Sequence, residues 1–118
     1  MIAMPNKNEA IQAYRAASRL RSQREQEADV FRTATAALKA ARAGSSMQQV
    51  RALADNRRLW ITVNDLMCDP TNALPEQLRA SILSVGLTVG REMDRETPDF
   101  DFLISINEQI TAGLAGQP

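Results

Sequence analysis

VRALADNRRLWITVNDLMC, residues 50–68, holds the chain's only tryptophan and reads as one helix. Leu53, Trp60 and Met67 stand seven apart and share a face, while Leu59, Val63 and Leu66 continue an adjacent one. Trp60 therefore enters a core or its edge. Arg57, three residues earlier on nearly the same face, has two roles open to it: stacking on the indole, or pairing with a carboxylate. Arg58 points further out. Tryptophan and arginine are enriched in interface hot spots, so docking competes with core boundary as a reading of Asn56-Arg57-Arg58-Leu59-Trp60.

Working outward, the helix is bounded on both sides. Downstream, Asp69-Pro70-Thr71-Asn72 is the strongest turn in the sequence, because Pro70 disfavours a helical residue before it. Upstream, Gly44-Ser45-Ser46 is punctuation: Gly44 is expected to close a helix in the left-handed conformation, and Ser45 or Ser46 to cap the next with Gln48 or Gln49. The same reasoning gives an all-α chain, a compact bundle of about five helices at roughly 8–20, 23–43, 47–68, 75–95 and 98–114. Ser22-Gln23-Arg24-Glu25 fits a capping box and separates the first two. Ile11, Tyr14, Ala17 and Leu20 form the first stripe, and Phe31, Ala34, Leu38 and Ala41 the second. Pro75 is expected at the first position of the fourth helix, where Leu78, Ile82, Val85, Val89 and Met93 line one face and Leu83 and Leu87 the other. A helix apolar on two sides is expected at the centre of a bundle. Gly86 and Gly90, four apart on it, form a notch for a close helix approach. Thr97-Pro98-Asp99 starts the fifth helix, with Phe100, Leu103, Ile106 and Ile110 inward. Nothing in the sequence marks a domain boundary, so residues 1–118 read as one domain, with a loosely held first segment and a tail that frays from Ala112.

Charge is balanced in total, 14 basic against 14 acidic residues, which argues against nucleic-acid binding through overall positive charge. The halves differ in sign. Residues 1–60 carry 11 basic and 5 acidic side chains, and residues 61–118 carry 3 and 9. That polarity can orient a partner or hold the chain's own helices in register. There is no histidine, and the five glycines are scattered where a phosphate-cradling loop needs several together. No catalytic constellation and no cofactor site emerges, so a non-enzymatic protein is expected. Glu92, Asp94, Glu96, Asp99 and Asp101 lack the spacing of a calcium loop and read as a charged turn, with no metal expected. Cys68 is alone, so it forms no internal disulfide, and inert packing is expected of it. The opening MIAMPNKNEA shows no secretory pattern, and no apolar run reaches the ~20 residues that span a bilayer, so a cytoplasmic protein without membrane contact is expected.

The residues singled out for partner contact are Tyr14, Arg15 and Arg19 on the first helix and Arg57, Arg58 and Trp60 on the third. Arg15, Arg19, Arg21, Arg24 and Arg32 can track a phosphate backbone if exposed together, but no aromatic interleaving accompanies them. Direct RNA binding is accordingly the lesser reading, with pairing to the acidic half the alternative.

Several blocks together resemble the flagellar biosynthesis regulator FlaF family: AYRAAS (13–18), SQREQEADVF (22–31), NRRLW (56–60), DPTNALPEQLRASI (69–82) and LISINEQITAGL (103–114). The resemblance spans Ala13 to Leu114. One departure is Gln23, where proline is expected after the serine. The resemblance implies a small cytoplasmic helical protein that binds flagellin as an export chaperone does. It also implies control of flagellin synthesis after transcription, together with a companion regulator, FlbT. No catalytic residues come with the family. The oligomeric state, and whether flagellin output rises or falls, are left open.

Overall fold

The structure, a computed structural model, describes residues 6–115, and among these there are four helices and no strand. They are α1 (Lys7–Ala41), α2 (Ser46–Cys68), α3 (Glu76–Met93) and α4 (Phe100–Ala115). The all-α class agrees with the sequence reading, and the count of five does not. The segments expected at 8–20 and 23–43 are a single helix of 35 residues. Ser22 and Glu25 lie exposed in its middle and form no capping box. Residues 6–43 contain neither glycine nor proline, and Gln23 is a good helix former where proline would have forced a stop. The box that starts α1 is at Asn6, whose side chain accepts from the Glu9 amide at 2.8 Å while the Glu9 carboxylate accepts from the Asn6 amide at 3.3 Å.

Between α1 and α2 the capping box at Ser45 and Gln48 is present in both directions, at 3.2 and 2.8 Å. Gly44 is not left-handed, since no described glycine has a positive φ. Its lack of a side chain serves a close approach instead: a Cβ there would strike the Gln48 Oε1 that accepts from the Ser45 amide. The Asp69–Asn72 turn forms as expected. Asp69 accepts from the Thr71 amide and hydroxyl, and the Asn72 side chain donates to the Leu66 carbonyl while accepting from the Leu74 amide. Pro75 lies one residue before α3, in the cap position, and not at its first helical residue. At the head of α4, the Asp99 carboxylate accepts from the Phe102 amide at 3.0 Å. α4 continues through Ala115; residues 116–118, the end of the tail expected to fray, lie outside those described, as do residues 1–5.

The core gathers around the second half of α1, which packs along α4 and α2, while α2 carries α3 on its other side. Phe31, Ala34, Leu38 and Ala41 are buried as read from the sequence, together with Leu59, Trp60, Val89, Met93, Leu103 and Ile104. Phe31 meets Trp60 edge to face, with ring centroids 5.9 Å apart. α3 is not central. It packs extensively only on α2, so Val89 and Met93 are buried, Ile82, Leu83 and Val85 are half-buried, and Leu78 and Leu87 are exposed. The glycine notch is half used: the Trp60 ring lies 3.5 Å from where a Gly86 Cβ would stand, but nothing approaches Gly90.

The predicted stripe Ile11, Tyr14, Ala17 and Leu20 faces no other helix. No residue of α1 before Ala28 is buried, so its first five turns project from the bundle as an arm. The molecule measures 64 × 26 × 18 Å, and its radius of gyration is 18.0 Å. A compact chain of this length would have a radius near ~13 Å.

Candidate docking site

Asn56 and Asn107 are wholly buried polar side chains, and they join three helices. Trp60 Nε1–H donates to Asn107 Oδ1 at 3.0 Å, Asn107 Nδ2 donates to Asn56 Oδ1 at 2.8 Å, and Asn56 Nδ2 donates to Met93 Sδ at 3.4 Å. The chain runs from α2 to α4, back to α2 and on to α3. Buried polar groups are costly unless paired, so these bonds fix how α2, α3 and α4 meet. Trp60, singled out as a contact, therefore belongs to the interior, consistent with its core reading. The sequence reading missed the two asparagines. Asn56 stands four before Trp60, and Asn107 stands four after Leu103 and three before Ile110, so each is a polar residue inside an apolar stripe.

Arg57 takes the carboxylate alternative, pairing with Asp94 at 2.8 Å. Lys39 pairs with Glu108 at 3.3 Å and Arg42 with Asp101 at 2.5 Å. All three join a basic residue of the first half to an acidic residue of the second, so the charge polarity does hold helices in register. The acidic cluster is spent in the same way. Asp94 and Asp101 are paired, Glu92 accepts from Arg95 and from the Asp99 amide, and no metal-binding group of acids occurs among the described residues. Cys68 is exposed, not packed inside.

Arg58 is exposed and 3.4 Å from Asp55, beside a shallow trough formed by Val30, Thr33, Ala34 and Ala37 of α1. Tyr14, Arg15 and Arg19 stand exposed on the arm. The six singled-out residues are thus divided among arm, trough and core. They do not form one site.

A further apolar groove lies elsewhere in the fold. Leu74, Leu78 and Ile82 at the start of α3 face Ile110, Gly113 and Leu114 at the end of α4 across a groove of ≈ 310 Å³, with Arg24 and Gln109 at its rim. It exists because α3 packs extensively only on α2, which leaves the first turns of its Leu78–Met93 face without a covering helix while Val89 and Met93 at the other end are buried. The sequence marked Leu78 and Ile82 as part of an apolar face but not that this end of the face would stay open.

A family model described as flagellar protein FlaF matches residues 10–114. The chain belongs to the FlaF family. Comparison with curated proteins and with solved structures gave no match. As a FlaF-family protein the chain is flagellar, and the blocks that carried the resemblance now have places. NRRLW supplies Asn56, Trp60 and the Arg57 ion pair, DPTN builds the α2–α3 turn, and LISINEQITAGL supplies Asn107 and one wall of the groove. No described helix is long and apolar enough to cross a membrane.

Proposed function

We propose that this FlaF-family protein is a non-enzymatic regulator of flagellum biogenesis. It binds flagellin as an export chaperone or adaptor and controls flagellin synthesis after transcription, together with an FlbT-type regulator, in the cytoplasm. The groove between α3 and α4 is the observation that supports this. Flagellin's terminal helices are amphipathic and disordered until assembly, and an open groove walled by Leu74, Leu78, Ile82, Ile110 and Leu114 suits the apolar face of such a helix. Capture would hold flagellin unpolymerised. A regulator occupied by flagellin is then unavailable to its messenger-directed companion, which reports export to translation.

The test is co-elution of the purified protein with purified flagellin. An apolar groove predicts a complex that survives ~0.5 M salt, because screening weakens charge contacts and leaves apolar burial in place. Leu78→Glu, at an exposed edge of the groove, should abolish co-elution while leaving the far-UV spectrum unchanged, and Arg58→Glu reports whether the α1–α2 trough contributes. Binding to neither flagellin nor the FlbT-type regulator would sink the proposal. A second reading, direct messenger-RNA binding, is favoured by one observation. Arg15, Arg19, Arg21 and Arg24 stand exposed on the arm, without a carboxylate partner among the described residues. It predicts RNA affinity that falls steeply with salt.

A further inference from the structure

The arm and the groove are both uncovered, and they meet. Continued back from Phe31 at helical spacing, the inner face of α1 runs through Ala28, Arg24, Leu20, Ala17 and Ala13. α2 and α4 cover that face inside the bundle, and beyond Ala28 it is bare. Ile11, Tyr14 and Leu20 on the same segment are 47%, 69% and 61% exposed. The groove opens at the root of the arm, where Arg24 lies against its wall.

We infer that in the free protein the groove is covered by residues 7–23 of a second copy of this chain, in a two-fold pair whose arms cross antiparallel. Length supports the register. Residues 7–23 extend roughly 25 Å as a helix, so antiparallel arms place the tip of each, with Ile11 and Tyr14, at the root of the other, where the groove opens. Charge supports the occupant. Residues 7–24 carry Lys7, Arg15, Arg19, Arg21 and Arg24 against Glu9 alone, while the root end of the bundle presents Asp65 near the end of α2 and Glu76 in the first turn of α3, both exposed and in no ion pair among the described residues. Area is also sufficient. A helix face ~25 Å long and ~10 Å wide offers on the order of 250–300 Å², so the two arms bury about 500–600 Å² against each other, and each tip with the groove end it covers adds roughly 200 Å², in all about 900–1,000 Å², at the low end for a specific interface. A helix from another protein seated in the groove would leave the arm bare, whereas a second copy covers both surfaces.

The experiment uses the full chain alone, so its failure is separate from failure of the flagellin reading. Sedimentation equilibrium should give about twice the 13.0 kDa chain mass at micromolar concentration. The double variant Tyr14→Glu with Leu20→Glu, and separately Leu78→Glu, should weaken the dimer about tenfold or more with unchanged helix content, since all three side chains are exposed in the single chain. Arg15→Glu with Arg19→Glu should weaken self-association likewise, and mixing that chain with the Asp65→Arg, Glu76→Arg chain should restore a pair. A wild type that sediments as one chain throughout, a dimer indifferent to the arm and groove variants, or charge-reversed chains that fail to pair on mixing would each overturn the inference.

Discussion

Asn107 sits between two side chains that have no water to turn to, accepting from Trp60 and donating to Asn56. Truncating it removes both bonds and leaves an indole N–H and an amide oxygen buried without partners, each costing about 1–3 kcal/mol. Asn107→Ala should therefore destabilise the fold by roughly 2–4 kcal/mol in urea unfolding followed by Trp60 fluorescence. A double-mutant cycle with Asn56→Ala should be markedly non-additive, because the first truncation already unmakes the bond that the second would remove. Near-additive losses would show that the two asparagines act separately. Polar residues set in apolar stripes were visible in the sequence, but periodicity ranks such positions by face and says nothing of partners. Which asparagine meets Trp60 depends on how α4 is placed against α2, a distance of 47 residues along the chain.

At the scale of elements, helices were legible wherever a turn had its own chemistry, and illegible where the signal was permissive. The Asp69–Asn72 turn and the Ser45 cap are built from side chains whose bonds run to neighbours within a few residues, so the sequence located both and left open only whether Ser45 or Ser46, with Gln48 or Gln49, made the cap. Ser22 and Glu25 offered the same box, but nothing there forbids helix, and propagation prevailed over a stop. Gln23→Pro should supply the missing stop. Because no residue before Ala28 is buried within one chain, the variant, measured dilute enough to be a single chain, should lose far-UV helicity from the arm while the unfolding midpoint seen by Trp60 stays within experimental error. A lowered midpoint would mean that the arm supports the core. The turn makes a prediction about acid. Hydrogen bonds from the Thr71 amide, then from its hydroxyl, with help from the Arg79 charge, hold the Asp69 carboxyl below its ordinary value of 3.8. A carboxyl lowered by folding stabilises the native state above its unfolded value, and that contribution is lost as pH falls through the lower, folded value. Asp69→Asn should thus narrow the stability difference between neutral pH and the region below 3.8, while at the acid extreme the two proteins converge.

Across the whole molecule, the division of charge along the chain was fully legible, and its use in register was one of two readings the sequence left open, but the position of α3 was not legible. Apolar residues on two faces of α3 say that both seek cover; they do not say that the Leu78–Met93 face is buried at Val89 and Met93 and left open at Leu78 and Ile82. The ion pairs are where sequence polarity becomes architecture: Arg57–Asp94 joins α2 to α3, and Lys39–Glu108 and Arg42–Asp101 join α1 to α4. Each pair is exposed, so each is worth only about 0.2–1 kcal/mol, and together they contribute on the order of 1–2 kcal/mol at low salt. Raising sodium chloride from ~0.05 to ~0.5 M should remove much of that, seen as a lowered urea midpoint with an unchanged slope, since screening alters stability and not the surface exposed on unfolding. Local and inter-helix effects separate in one cycle. Arg42→Glu or Asp101→Arg alone should each destabilise modestly by placing like charges together, and the double exchange should recover most of the loss, because the pair is re-formed with its sign reversed. A double exchange no more stable than the sum of its singles would show that this pair does not hold α1 and α4 in register.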